Sequence, residues 1–534
     1  MGLVAKFDPD LFSARGSIRS GWLTEALARE PRLADEPALA GDMAADVCIV
    51  GGGYTGLWTA LNIKQLDPAA DVVLIEADIC GSGASGRNGG FVMTWWSKFS
   101  TLAKLCGADA ALDLARRSDD AVTAIGEFCG ANGIAGFHRG GWLWTATSVA
   151  QVDAWKDTVE QIAVAGATPY ELLDRHQVAA RSGSPVHLAG IYEAGAGVVQ
   201  PALLARGLAT AARRAGVRIF ERSPMTELHA DRRVHVRTAS GQVTADRVVL
   251  AMNAWGASLP QLRRALVIVA SDVIASEPVP ERLREIGWAT ELSISDSRRL
   301  VNYYRISDDG RVVFGKGGGT LARGGRVGSS YHRRSGRAQE VHNQLRHIYP
   351  ALWDVPIASS WRGPIDYSLT GLPFFCRLNG REDIVVGVGF SGNGVGPSHV
   401  AGQTLAKLAL EGRDEQMPLA LTAAPSGRLP REPVRYIGGL AVRAATARKE
   451  AAEDLGRQAG PITRMLARLD PTSFVDRGPG QNGRAPARGV DGPDGAPAAA
   501  SVSIPDEGAN GAGPEVAATG GHGREDERSE PPAP

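Results

Sequence analysis

A short apolar run, a glycine turn and a helix follow one another near the N-terminus, and this order constrains the fold more than any other feature. Asp46–Val50 has the composition of a buried strand, Tyr54–Leu66 has helical spacing, and Val72–Glu76 is a second strand. A strand–helix–strand unit of this length is the right-handed βαβ crossover of a parallel sheet. The sequence therefore predicts an α/β fold.

The turn inside this unit, Gly51-Gly-Gly-Tyr-Thr-Gly56, fits the dinucleotide fingerprint GxGxxG. In that fingerprint Gly51 permits a tight turn, Gly53 lets the backbone approach a pyrophosphate, and Gly56 lets the helix pack on the strand. Glu76 ends the second strand 20 positions after Gly56, where it can accept hydrogen bonds from a ribose and would repel the phosphate of NADP. The alternative is a purely structural turn, with Glu76 as a solvated strand end.

A second glycine-rich run, Gly81–Gly90, follows the second strand directly. Such a loop lets backbone N–H groups and small side chains lie against a flat, bulky cofactor, which favours FAD over NAD. The alternative is a flexible linker, but Arg87 and Asn88 inside the run and Phe91–Met93 after it favour ordered structure.

Three motifs, GGGYTGLWTA, VVLIEA and GASGRNGG, together resemble the FAD-dependent superfamily of D-amino-acid oxidase, glycine oxidase and sarcosine oxidase. The resemblance extends from about Gly21 to Gly412 and includes VVLAMNAW (Val248–Trp255) and GFSGNGVGPS (Gly389–Ser398). It is nearest to the branch that holds gamma-glutamylputrescine oxidoreductase and aminophosphonate oxidoreductases. The resemblance implies a Rossmann-like FAD-binding domain of the glutathione-reductase type, interleaved with an antiparallel-sheet substrate domain.

The resemblance also implies where FAD binds, with adenine near Pro224 and Met225. The flavin would lie near a helix, Pro397–Leu410, whose positive end favours charge on the reduced ring; an ordinary core loop before this helix is the alternative. In the sarcosine oxidase branch a cysteine within 361–373 attaches FAD; this stretch has none and Cys376 lies beyond it, which predicts noncovalent FAD. The predicted FAD-binding residues are Gly51, Gly53, Tyr54, Thr55, Gly56, Glu76, Ala84, Ser85, Arg87, Asn88, Gly89, Gly90, Met225, Asn253, Trp255, Gly392, Asn393, Gly394, Val395 and Gly396.

Three residues are candidates for catalysis. Lys316 aligns loosely with a lysine by which the sarcosine oxidase branch activates dioxygen, although a lysine among glycines is also typical of a solvated turn. Tyr303 and Tyr304 lie on the preceding strand and point to opposite faces, so that one of them can line a substrate cavity unless both are plain packing. Asp366 lies in a segment that is close to the flavin in the family, and its alternative role is a salt bridge.

The substrate predicted from the resemblance is a primary or secondary amine, gamma-glutamylputrescine-like or aminophosphonate-like. The family's carboxylate clamp, an arginine and a lysine, falls here on Met93 and Gly396, so any anionic group should lie far from the nitrogen. An FAD-dependent amine oxidase or dehydrogenase would oxidise the C–N bond by hydride transfer to flavin N5. The imine would hydrolyse, and dioxygen, giving hydrogen peroxide, or another acceptor would take the electrons. The alternatives are an NAD-dependent dehydrogenase and a flavin-binding protein without turnover.

Composition indicates which binding partners and which cellular compartment to expect. Lys and Arg total 58, as do Asp and Glu, which disfavours nucleic-acid and membrane-surface binding. Five scattered cysteines without CxxC spacing predict the cytoplasm and no metal site. The predicted domains are an N-terminal arm (1–45), an FAD-binding domain (46–95, 196–260 and 358–415), a substrate domain (96–195 and 261–357), a helical extension (416–475) and a disordered Gly/Pro/Ala-rich tail (476–534).

Overall fold

The structure is a computed structural model that describes residues 2–7, 19–30, 38–288, 291–328, 331, 333–424 and 427–469. The chain divides into two units, Met1–Arg477 and Gly478–Pro534. All elements given below belong to the first unit, and the predicted tail 476–534 lies outside the described residues. Within the described ranges, none of the helices combines the length and the apolar character that crossing a membrane requires.

Strands account for most of the framework. In chain order they are β1 (Leu3–Lys6), β2 (Gly41–Val50), β3 (Val72–Ile75), β4 (Phe91–Val92), β5 (Trp142–Ala146), β6 (Tyr170–Leu173), β7 (Ala189–Glu193), β8 (Gly197–Val198), β9 (Arg218–Phe220), β10 (Glu227–Ala230), β11 (Val234–Arg237), β12 (Gly241–Leu250), β13 (Leu266–Ser276), β14 (Ser293–Asp296), β15 (Asn302–Ile306), β16 (Val312–Lys316), β17 (Ile357–Ser368), β18 (Phe374–Arg377) and β19 (Ile384–Val388).

Helices pack around these strands. In chain order they are α1 (Gly21–Arg29), α2 (Tyr54–Leu66), α3 (Phe99–Cys106), α4 (Ala108–Ala131), α5 (Lys156–Val164), α6 (Arg175–Ser182), α7 (Pro201–Arg214), α8 (Pro280–Glu285), α9 (Ala338–Ile348), α10 (Val395–Leu410), α11 (Leu419–Thr422), α12 (Val434–Asp454) and α13 (Pro461–Ala467).

The first sheet contains the predicted βαβ unit and confirms the α/β fold. Its parallel strands lie in the order β9, β3, β2, β12 and β19, and β1, β10, β11 and β18 extend it in antiparallel fashion. The strand β2 begins at Gly41, earlier than the predicted Asp46, because its first half pairs with the first half of β12. The strand β2 lies between β3, to which the chain runs next, and β12, so the strand order reverses at β2. Parallel sheets of this kind bind ligands at the carboxyl end of the strand where the order reverses, which here is Val50.

The second sheet has the order β17, β13, β16, β15, β14, β5, β7 and β6, and its neighbours are antiparallel except β14 and β5. It is the antiparallel layer that was predicted beside the nucleotide-binding sheet. The strand β17 pairs with β13 along its whole length. The segment 358–415, predicted to belong to the FAD-binding domain, therefore starts with a strand of the second sheet. No local pattern shows this pairing, because β13 lies far away in the sequence.

Helices α2 and α10 pack directly on each other. Their contact brings together the glycine segments that precede them, Gly51–Gly53 before α2 and Gly389–Gly394 before α10. A β-carbon on Gly402 of α10 would lie 2.4 Å from the β-carbon of Trp58 and 2.8 Å from its carbonyl carbon, so the helices approach closely. The helix α10 begins at Val395, two residues before the predicted Pro397. Proline is tolerated there because N–H groups in the first turn have no acceptor within the helix.

Candidate active site

A cavity of about 420 Å³ lies at the carboxyl end of β2, between the glycine loops and the second sheet. Most of the residues predicted to bind FAD line this cavity, although they come from distant parts of the chain. They are Gly51, Gly53, Tyr54, Thr55, Glu76, Ala84, Ser85, Arg87, Asn88, Gly89, Met225, Asn253, Trp255, Gly392, Asn393, Gly394 and Val395.

Three predicted residues, Gly56, Gly90 and Gly396, do not line the cavity. A β-carbon on Gly56 would lie 2.0 Å from the carbonyl oxygen of Gly51, so Gly56 allows α2 to pack on the turn, as its place in the fingerprint predicted. The corresponding distances are 2.2 Å to Val199 O for Gly90 and 2.1 Å to Met93 O for Gly396. These glycines are needed for backbone packing behind the cavity wall.

The N-terminus of α2 lies in the cavity wall. Gly51 adopts a φ of +116°, and a β-carbon there would lie 2.5 Å from Ala251 O, so the turn requires glycine. The helix has no side-chain cap at Gly53, and the Tyr54 N–H donates to Ser85 Oγ at 2.9 Å. The remaining first-turn N–H groups and the helix dipole favour a negative group, as a diphosphate would supply.

Glu76 connects the end of β3 to the same turn. Its Oε2 accepts from the Gly52 N–H at 2.7 Å and its Oε1 from the Asp78 N–H at 3.0 Å. Burial raises the pKa of Glu76 to about 7, and these two N–H groups act against the increase. Each carboxylate oxygen keeps a second lone pair, so Glu76 can still accept from a ribose hydroxyl.

The loop Gly81–Gly90 is ordered by its own side chains and by two indoles. Asn88 Oδ1 accepts from the Gly90 N–H at 2.7 Å. The Trp361 and Trp22 Nε1 groups donate to the carbonyl oxygens of Arg87 and Asn88, at 2.9 and 3.0 Å. Arg87 is buried, and burial lowers its pKa to about 10. The loop is therefore a fixed part of the wall, and the linker alternative is wrong.

Asp366 ties together three segments at the other end of the cavity. Its Oδ1 accepts from Asn253 Nδ2 at 3.0 Å and its Oδ2 from the Gly389 N–H at 2.6 Å, while its carbonyl oxygen accepts from the Ser391 N–H. Burial raises the pKa of Asp366 to about 7. Among the described residues no cation pairs with it, so the salt-bridge alternative is wrong. Asp366 therefore positions the glycine loop Gly389–Gly396 that precedes and opens α10.

Two amide side chains in the wall are the clearest test of whether a polar cofactor fits. Asn253 Oδ1 and Asn393 Oδ1 are buried and have no hydrogen-bond partner within the described part of the chain. The Nδ2 groups of the same residues donate to Asp366 and to Thr94 O. A buried acceptor without a partner costs about 1–3 kcal/mol. A ligand with polar N–H or O–H groups would remove this cost, and FAD carries both kinds.

The three predicted catalytic residues separate onto two faces of the second sheet. Tyr303 lines the cavity, and its hydroxyl is hydrogen-bonded to Ser271 Oγ at 2.8 Å. In the sheet register Tyr303 lies opposite Gly315, so Lys316 shares the other face with Tyr304 and Asn302. Of the three, Tyr303 alone lines the cavity.

The structure places Lys316 and Tyr304, two of the predicted catalytic residues, outside the lining of the cavity. Lys316 is buried, its Nζ donates to Asn302 Oδ1 at 3.1 Å, and it does not line the cavity, so it is not a solvated turn residue. Tyr304 is fully buried in a hydrophobic cluster, where its hydroxyl is hydrogen-bonded to His187 Nε2 at 2.6 Å.

Several wall residues escaped the sequence analysis because they belong to no motif. Trp142 lines the cavity, and its Nε1 donates to Ser295 Oγ at 3.0 Å. Ser271, Ser97 and Lys98 also line it. The one available signal was Ser97-Lys98, a polar pair that follows the apolar segment after the second glycine loop. Among the described residues no cluster of His, Cys, Asp or Glu is suited to hold a metal ion.

Comparison with known families decides the identity. The model of the DAO family, FAD dependent oxidoreductases, matches residues 46–408, which is more than half of the chain. The protein belongs to the DAO family. It is therefore an oxidoreductase whose cofactor is FAD. The two alternatives, an NAD-dependent dehydrogenase and a flavin-binding protein without turnover, are wrong.

This DAO-family chain is 32% identical over 403 residues to gamma-glutamylputrescine oxidoreductase of Escherichia coli (strain K12), a match that covers 74% of this chain and 91% of the relative. It is 29% identical over 384 residues to the probable oxidoreductase OrdL of Haemophilus influenzae, covering 70% of this chain and 84% of the relative. The crystal structure of glycine oxidase from Geobacillus kaustophilus superposes with a TM-score of 0.60 at 23% identity and covers 71% of this chain and 98% of that one. The last likeness shows the shared fold.

Proposed function

We propose that the protein oxidises the C–N bond of a primary or secondary amine, gamma-glutamylputrescine-like or aminophosphonate-like. The observation that supports this most is the 32% identity to gamma-glutamylputrescine oxidoreductase over 91% of that relative. When bound, FAD supplies the hydride acceptor at its N5 atom. The amine carbon loses a hydride, the nitrogen loses a proton, and water hydrolyses the imine to a carbonyl compound and an amine or ammonia.

The chain's own residues hold the cofactor and enclose the amine. We assign the diphosphate to the N-terminus of α2, a ribose to Glu76, and the flavin to the region of Asn393 and the N-terminus of α10. The helix α10 has no side-chain cap, so its dipole favours negative charge at that end. Trp142 and Tyr303 provide apolar wall that excludes water, and the Tyr303 and Ser271 hydroxyls offer hydrogen bonds that orient the substrate nitrogen.

The residues of the cavity wall also indicate which class of amine the protein accepts. A side chain at Gly396 would collide with the Met93 carbonyl, so the position leaves no room for the lysine of a carboxylate clamp. Met93 itself lines the cavity without charge. A simple α-amino acid would therefore lose charge-assisted hydrogen bonds worth about 1.5–3 kcal/mol each. We infer an amine whose anionic group, if present, lies away from the reacting nitrogen.

We further propose noncovalent FAD, dioxygen as the electron acceptor and a cytoplasmic location. Cys376 is buried and does not line the cavity, and burial raises the pKa of its thiol to about 12, which disfavours covalent attachment there. Dioxygen would yield hydrogen peroxide. The five cysteines are all free thiols, as proteins of a reducing compartment typically have.

Anaerobic flavin reduction tests this function. The purified yellow protein is mixed under nitrogen with gamma-glutamylputrescine, an aminoethylphosphonate, sarcosine and D-amino acids, and bleaching of the flavin band is followed. We expect gamma-glutamylputrescine or the aminophosphonate to bleach it, and sarcosine and D-amino acids to react at least tenfold more slowly. A faster reaction with sarcosine or a D-amino acid would contradict the proposed substrate class. Peroxide released on admitting air would support the oxidase assignment.

A further inference from the structure

Lys98 is a cation held in the cavity wall by rigid neighbours. It lies at the end of a short turn, Trp96–Lys98, that leads into α3. The flanking aromatic residues Trp95, Trp96 and Phe99 are buried, and the Trp95 N–H donates to Ser118 Oγ at 2.7 Å. The backbone that presents Lys98 to the cavity is thus fixed, while the side chain itself is only partly buried.

The ammonium group of Lys98 has no counterion among the described residues. Its pKa is lowered, and burial is the cause; no neighbouring acid raises it. The acids of the cavity wall are engaged elsewhere, since Glu76 accepts from Gly52 and Asp366 from Asn253. The third, Asp78, interacts electrostatically with Arg19 and Arg87. A partly buried charge without a partner is costly, and an oxyanion brought into the cavity would remove that cost.

The other cations near the cavity are already committed to protein acceptors. Arg87 Nε donates to Ser82 O at 2.8 Å, and its Nη1 donates to Arg362 O. Lys316 lies on the far face of the second sheet with Asn302 as its partner. Lys98 therefore remains as the wall cation that is available to a ligand within the described part of the chain.

We propose that Lys98 determines substrate specificity by binding an oxyanion, a carboxylate or a phosphonate, at the end of the amine substrate remote from the reacting nitrogen. This inference rests on the proposed amine oxidation and extends it. Lys98 supplies a cation to the cavity wall, which the clamp positions Met93 and Gly396 do not. The substrate is thereby an amino acid analogue with its charges separated along a chain, and a neutral amine of equal length binds more weakly.

Substrates of equal length distinguish the effect of the anionic group from the effect of the alkyl chain of the amine. An ω-aminoalkanoate, the ω-aminoalkylphosphonate and the uncharged ω-aminoalkanamide of equal length are compared in anaerobic flavin reduction, which gives a dissociation constant and a limiting rate for each. A charge-assisted hydrogen bond predicts that the wild-type protein binds an anionic amine roughly ten- to a hundredfold more tightly than the amide. The comparison of carboxylate with phosphonate identifies the preferred oxyanion.

Three variants assign that preference to Lys98. Lys98→Met should abolish it and leave binding of the amide unchanged, and Lys98→Arg should retain much of it. Lys104→Met, on the exposed side of α3, is the control and should behave as wild type. Bound FAD and thermal unfolding temperature show that each variant is folded.

Several outcomes would overturn the inference. They are an equal affinity of wild-type protein for the charged and uncharged amines, a preference that persists in Lys98→Met, and a loss in Lys98→Met that affects only reoxidation by dioxygen. If no amine reduces the flavin, the proposed function fails, and calorimetric titration with the ω-aminoalkanoate still decides the role of Lys98. Binding that is lost in Lys98→Met alone supports the role, and binding that is equal in both proteins, or absent from both, overturns it.

Discussion

The crossing of α2 and α10 gives the most direct test of how the cofactor site is built. In Gly402→Ala the new β-carbon would lie 2.4 Å from Trp58 Cβ, 2.8 Å from Trp58 C and 3.0 Å from Thr59 N. Backbone atoms cannot rotate away, and ordinary carbon contacts need about 3.5–4.0 Å, so the helices must separate by about 1 Å. Overpacking of this kind costs about 1–3 kcal/mol.

A matched control separates this steric effect from helix propensity. Alanine is favoured over glycine by about 1 kcal/mol inside a helix, which offsets part of the loss in Gly402→Ala. Gly438 lies within α12 with no atom within 4 Å of its would-be β-carbon, so Gly438→Ala should gain stability by about that amount. The same substitution should therefore destabilise one helix and stabilise the other.

Denaturant unfolding and FAD titration measure the two consequences. We expect Gly402→Ala to lower the free energy of unfolding of the apoprotein by up to about 2 kcal/mol, because the gain in helix propensity offsets about 1 kcal/mol of the overpacking cost. Because both helix N-termini lie in the cavity wall, their separation should also weaken FAD binding by about tenfold, equivalent to about 1.4 kcal/mol. Gly438→Ala should leave FAD affinity unchanged. If Gly402→Ala were as stable as Gly438→Ala and bound FAD equally well, the crossing would not set the geometry of the site.

Three further predictions concern single side chains. Tyr303→Phe should slow anaerobic reduction by amines, whereas Tyr304→Phe should leave the rate unchanged and cost about 1–3 kcal/mol of stability by unpairing His187. Lys316→Met should leave reoxidation by dioxygen within about twofold of wild type, since Lys316 does not line the cavity and donates to Asn302; a large selective loss would support the oxygen role. Burial raises the pKa of Glu193 from 4.5 to about 8, so its contribution to stability is complete below pH 4.5 and is lost as the pH rises towards 8. The stability of wild type minus that of Glu193→Gln should fall by about 5 kcal/mol across this window in denaturant titrations, and a constant difference would contradict the shifted pKa.

The sequence predicted what depends on neighbouring residues and missed what depends on pairing between distant strands. The turn at Gly51 and the helix after it follow from local glycine and apolar spacing, and the structure has them. Strand alternation correctly separated Tyr303 from Tyr304. The face of Lys316, however, depends on the register of β16 against β15, which pairs Lys316 with Asn302, and no pattern within either strand contains that register. The same limit explains why the sequence did not show that β17 pairs with β13 in the second sheet.

The glycine motifs and the side chains that line the rest of the cavity have different structural roles. This difference explains why the sequence predicted the cofactor-binding motifs but not the other residues of the cavity wall. The positions at Gly51, Gly56 and Gly396 are fixed by carbonyl oxygens less than 3 Å from where a β-carbon would be, so they describe how the backbone encloses a cofactor. The cavity-lining residues Trp142 and Lys98 lie on β5 and before α3, outside every motif. A substitution at these positions changes a side chain in the cavity without disturbing that backbone packing. A motif can therefore establish the family and the cofactor, and the choice of amine has to be inferred from the charges and shapes of the wall.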